Sequence, residues 1–102
     1  MHEIKVLTYG PTLASRETAG ILRHRIDRAL RERKDVLLDF TGVRTLSPPF
    51  AGECFYRLAR LWPEADLRGR VRLKGASPMV RATIRFSLQS STRDVLFGGS
   101  LD

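Results

Sequence analysis

The run Val36-Leu37-Leu38-Asp39-Phe40 constrains this chain more than any other segment. It follows a charged stretch and does not alternate between apolar and polar positions. A strand with one wet face alternates with period two. A short, largely unbroken apolar run is expected of a strand covered on both faces, as in parallel sheets. Parallel strands need crossover connections, usually helices, so helical patterns should flank this run.

They do. Ala19, Leu22, Ile26, Ala29 and Leu30 recur at helical spacing, with Ser15 as N-cap and Glu17 in the first turn, predicting a helix over 15–32. Arg23, His24, Arg25, Arg28 and Arg31 fall mostly off its apolar stripe. Downstream, Thr41–Leu46 reads as a loop. Ser47-Pro48-Pro49-Phe50 then gives a helix start, because proline in the first turn lacks only an N–H that would be unpaired there. Ala51, Cys54, Phe55, Leu58, Leu61 and Trp62 carry a second helix, 48–62, which Pro63 ends.

Residues 3–9 roughly alternate and predict a first strand, broken at Gly10-Pro11-Thr12. Glu64–Gly69 reads as a polar connection. Arg70-Val71-Arg72-Leu73-Lys74 alternates cleanly, as a strand with one solvated face would. Ser77-Pro78 repeats the cap-then-proline start, and Val80, Ile84 and Leu88 predict a third helix over 78–89. Residues 90–102 read as a flexible or edge-docking tail, in which Val95-Leu96-Phe97 is a last short strand or a docking segment. The expected fold is thus a single α/β domain, 1–102, of β-α-β-α-β-α order with a mostly parallel sheet.

At 102 residues the chain has room for one hydrophobic core. A lone cysteine, Cys54, rules out an internal disulfide and multi-cysteine metal sites. No apolar run approaches the roughly 18 residues of a membrane span, and Met1–Lys5 has no leader-like apolar core. The setting these features imply is reduced and cytoplasmic. The net charge of +7 fits an acidic partner such as nucleic acid. It also fits a composition bias that uses arginine on solvated faces, the reading favoured by the spread of these residues along the chain. Lys5, Lys34 and Lys74 are the lysines among the 18 basic residues, which leaves 15 arginines spread along the chain.

No catalytic set emerges. A nucleophile needs a base within hydrogen-bond reach, oriented by a third group. Cys54 sits on an apolar stripe, His24 on a polar one and His2 at the terminus. No phosphate loop or dinucleotide fingerprint is present. Asp39 ends a strand, where ligands gather in parallel sheets, but it also suits a turn-fixing role. We therefore expect no catalytic residue, no metal and no cofactor. A pocket built from Asp39, Thr41, Thr45 and Ser47 in loop 41–50 is the ligand-binding or enzymatic alternative.

The segment from Val36 to Leu58 resembles the STAS fold of anti-sigma-factor antagonists: a strand ending in Asp, a small-Gly-Val turn, and a Ser-bearing loop at a helix N-terminus. The nearer likeness is to the STAS-like domain family of unknown function. It is carried by Leu13-Ala14-Ser15-Arg16, Val36-Leu37-Leu38-Asp39-Phe40-Thr41-Gly42-Val43, Phe50-Ala51 with Glu53, and Ala76-Ser77-Pro78-Met79-Val80-Arg81, over residues 4–88. The resemblance implies a regulatory module of bacterial signalling. It would bind another protein, such as a kinase-like ATPase or an anti-sigma factor, and switch partners. In better-known STAS relatives a serine at the helix start is phosphorylated. Here that position falls on Pro49, beside Pro48, and Gly52 replaces the acidic residue of the family's Phe-Ala-Asp-Glu helix start. Ser47 and Thr45 are the remaining phospho-acceptor candidates, although Ser47 also suits an N-cap. The candidate partner-binding residues are Arg44, Thr45, Ser47, Pro49, Glu53, Tyr56 and Arg57. Glu53 has a second reading, as a favourable charge at the helix start. A nucleic-acid-binding basic domain is the other alternative.

Overall fold

The computed structural model describes residues 1–97, and the side chains of residues 1–88. The strands are β1 (His2–Lys5), β2 (Thr12–Leu13), β3 (Val36–Asp39), β4 (Thr45–Leu46) and β5 (Val71–Lys74). The helices are α1 (Arg16–Arg31), α2 (Pro48–Ala51), α3 (Arg57–Leu61), α4 (Glu64–Arg70) and α5 (Pro78–Phe97). A π-helical turn, Gly52–Tyr56, joins α2 to α3.

β1, β3 and β5 form a parallel sheet in the order β1-β3-β5. Its register aligns Glu3, Leu37 and Arg72 in one row, and Lys5, Asp39 and Lys74 in another. Helices cover the opposite face, where Ile4, Val36 and Leu38 are fully buried against Leu22, Ile26, Phe50 and Val80. The sequence reading had β3 covered on both faces, and the structure corrects this. Val36 and Leu38 are buried, but Leu37 and Asp39 are half-buried on an open, charge-bearing face. Leu37 is the one apolar side chain in the rows on that face, which made the strand look doubly covered.

α1 matches its expectation, with the Ser15 hydroxyl accepting from the Thr18 N–H at 3.2 Å. The first strand is shorter than expected. After Lys5 the chain turns into a 3-10 helix, Val6–Tyr9, that buries Val6. β2 and β4 pair in parallel within segments that read as a break and a loop. Two residues each are too few to show a period. α4 replaces the expected polar connection. Its first turn holds Glu64 and Asp66 and its last turn Arg68 and Arg70, both matched to the helix dipole, and Leu67 is buried. α5 runs through Val95-Leu96-Phe97, so those residues are helical and not a strand. The end of the expected tail, residues 98–102, lies outside the described residues.

Candidate partner-binding surface

Each helix that follows a strand of the main sheet starts beyond that strand's carboxyl end, where α/β sheets present their functional loops. Three serines cap these starts. Ser47 accepts from the Phe50 N–H at 3.2 Å and Ser77 from the Val80 N–H at 3.1 Å, in the manner of Ser15. The loop before α2 is pinned from behind. The Arg44 and Thr45 N–H groups donate to the Pro11 carbonyl, and the Ser47 N–H donates to the Leu13 carbonyl at 2.9 Å. Val43, Leu46 and Phe50 anchor it in the core. Arg44, Thr45, Pro48 and Pro49 are left exposed on this fixed backbone.

Glu53 is neither a simple helix-start charge nor a free contact. It lies in the π turn, where the Arg57 N–H reaches back to the Gly52 carbonyl. Arg23 on α1 donates to the Glu53 main-chain carbonyl at 2.7 Å and to its Oε2 at 3.0 Å. Arg57 donates to the same Oε2 at 2.9 Å. The Arg23 hydrogen bond comes first among the causes that hold the Glu53 carboxyl below its ordinary value. A π turn disturbs the regular i-to-i−4 ladder, and the Arg23 guanidinium caps the carbonyl at that place.

Tyr56 is half-buried; its hydroxyl accepts from Arg60 at 3.3 Å, with the guanidinium 5.8 Å from the ring centre. Arg57 is exposed but tied to Glu53. The seven candidate residues therefore divide. Arg44, Thr45 and Pro49 form an open loop face, Ser47 supports it from within, and further along the helix Glu53 and Arg57 pair with each other while Tyr56 contacts Arg60. Sequence reasoning placed Arg23 among solvated arginines. Nothing local marks it, because its partner is 30 residues away and is brought to it by the π turn.

The loop 41–50 alternative gains no support from geometry. Asp39 Oδ1 accepts from the Thr41 N–H at 3.0 Å and the Thr41 hydroxyl at 2.6 Å, closing a turn on itself. These bonds, with the charges of Lys74 and Lys5, hold its carboxyl below the usual range. Neither described cavity includes Asp39, Thr41, Thr45 or Ser47. One, of about 700 Å³, lies between α3, α4, α5 and β5. The other, of about 280 Å³, lies beside His2 and the end of α1. Cys54 is fully buried, and burial pushes its thiol well above the ordinary range. Among the described residues no group of three or more His, Cys, Asp or Glu side chains could hold a metal ion.

The arginines are dispersed. Arg28, Arg31 and Arg68 pair with acids one helical turn away, and Arg70 with Asp35. Arg16, Arg25, Arg33, Arg44, Arg60, Arg72, Arg81 and Arg85 have no acidic partner among the described residues, and they are spread along the sequence from α1 to α5. No described helix is long and apolar enough to cross a membrane.

The fold is thus a small parallel α/β domain with helices packed on one sheet face and capped loops at the strand ends. The family described as a STAS-like domain of unknown function matches residues 19–81, more than half of the chain, and the chain belongs to that family. No curated protein and no solved structure matched it.

Proposed function

We propose that this domain is a non-catalytic protein-interaction module whose partner docks on the loop face from Arg44 to Pro49 and the adjoining flank of the helix to Arg57. The observation that carries this reading is the exposure of Arg44 and Thr45 on a backbone held fixed by the β2–β4 pairing and the Ser47 cap. A rigid loop with unsatisfied polar side chains can bind without first being ordered. The polar groups nearby are already engaged with one another, which supports recognition over catalysis.

The resemblance of residues 36–58 to anti-sigma-factor antagonists points to the partner's class: a kinase-like ATPase or an anti-sigma factor of bacterial, cytoplasmic signalling. Proline at position 49 moves any phosphorylation to a neighbouring hydroxyl. Thr45 is the better acceptor. It is exposed, whereas the Ser47 hydroxyl is half-buried and holds the helix cap. A phosphate on Thr45 would add negative charge beside Arg44 and change which partner surface fits.

The test uses the tagged protein as bait in lysate of its own source, at low and at moderate salt, beside an Arg44→Glu variant. A discrete protein partner that survives moderate salt and is lost with Arg44→Glu is expected. Recovery of nucleic acid alone, released as salt rises, would refute the reading.

A further inference from the structure

β5 is an edge strand, since the sheet order is β1-β3-β5. The Phe40 N–H donates to the Lys74 carbonyl at 2.7 Å. In a parallel ladder this turns the main-chain groups of Arg72 and Lys74 toward β3, and those of Val71 and Leu73 toward the free edge. The Val71 N–H is taken by the Leu67 carbonyl. The N–H and carbonyl of Leu73 make no hydrogen bond among the described residues.

Two further features flank this edge. On the helix side lies the cavity of about 700 Å³, with Phe55, Leu58, Val71, Leu73 and Ile84 in its wall and Arg85 beside them. On the open side, Arg72 and Lys74 are exposed. The other edge strand, β1, has Glu3 and Lys5 in the two equivalent rows, so its charges cancel, and it has no comparable apolar cavity among those described.

We infer that the free edge of β5 takes up an extended segment of a partner protein in which apolar and acidic residues alternate. Successive strand side chains point to opposite faces. Such a segment would bond through its backbone to Leu73, place its apolar residues over the cavity, and set its acidic residues beside Arg72 and Lys74. Strand addition of this kind draws affinity from the main chain and specificity from alternate side chains. The same basic row opposes a second copy of this chain, because antiparallel self-pairing would bring like charges together. This surface uses different residues from the loop face and does not depend on it.

The test is fluorescence anisotropy with the full chain and a labelled synthetic peptide alternating Glu and Val. Two control peptides alternate Lys and Val, or carry a central proline. Hydrogen exchange at the Leu73 amide is followed in parallel. The Glu-Val peptide is expected to bind and to slow Leu73 exchange, and both controls to fail. The double variant Arg72→Glu/Lys74→Glu, exposed and therefore harmless to the core, should weaken binding about tenfold or more. Ala59→Trp, which fills the cavity, should also weaken it, and circular dichroism checks that the variant folds. Arg44→Glu should leave this binding unchanged, so failure here is distinguishable from failure of the loop-face reading. Absence of Glu-Val binding, equal binding by the Lys-Val peptide or the charge-reversed protein, unchanged Leu73 exchange, or self-association through β5 would each overturn the inference.

Discussion

Replacing Arg23 by leucine tests the π turn most directly. The Arg23 side chain is only 14% exposed, and its guanidinium bonds to both the main-chain carbonyl and the carboxylate of Glu53. Leucine keeps part of the packing and removes both bonds. A hydrogen bond involving a charged group contributes about 1.5–3 kcal/mol, and leaving a part-buried carbonyl unpaired adds a penalty of similar kind. Counting only the carbonyl bond, we expect a loss of about 2 kcal/mol. For a domain of this size that lowers Tm by roughly 10 °C. Urea unfolding followed by the fluorescence of Trp62, the single tryptophan, provides the assay. Arg57→Gln is the control, since it removes an exposed partner of the same carboxylate and should cost less than about 1 kcal/mol. The pH dependence follows from the same contact. The folded pKa of Glu53 lies below its ordinary value of 4.5, so its contribution is present above that pH and is lost as pH falls through the folded value. Arg23→Leu should flatten this acid limb. Unchanged stability in Arg23→Leu, or an equal loss in Arg57→Gln, would show that the Arg23 contact does not hold the π turn.

Four further outcomes are expected. Ser47→Ala should cost about 1 kcal/mol through the lost α2 cap while Ser47→Asp keeps most of it, as read from denaturation midpoints. Gly75→Ala should destabilise by about 1–3 kcal/mol, because Gly75 has φ +71° and an added Cβ would fall 2.3 Å from Thr41 Oγ1. Gly20→Ala, inside α1 with open space around it, should instead stabilise by about 0.5–1 kcal/mol in the same assay. Cys54 should react with a thiol reagent only when the protein unfolds; rapid labelling of the native protein would contradict its burial.

Much of the fold was legible because its signals are local. Ser15, Ser47 and Ser77 announce their helices by residue type, and the stripes from Ala19 to Leu30 and from Ala51 to Leu58 announce their buried faces, whereas Leu61, expected on the second stripe, is exposed. What escaped depends on contacts distant in sequence or on very short elements. The β2–β4 pair spans two residues per strand and exists because Leu13 and Leu46 pack side by side in the core. Leu37 misled, since an apolar residue on an open sheet face looks the same in sequence as one under a helix. α4 hid in a charged stretch whose acids and bases are ordered to suit a helix dipole. At the candidate site, the helix start at Ser47-Pro48-Pro49 was readable by residue type, and Arg44 and Thr45 entered through the family resemblance. The Arg23–Glu53 contact was not, because no periodicity links α1 to a π turn.

If the loop face beginning at Arg44 is where this domain meets a protein partner, reversing the charge there must weaken that contact. Once a partner is isolated with the wild-type bait, the decisive measurement is its dissociation constant for wild type, Arg44→Glu and Arg72→Glu/Lys74→Glu at matched salt. Arg44→Glu should weaken binding about tenfold or more while the folded stability stays unchanged. Equal affinity for wild type and Arg44→Glu would contradict it.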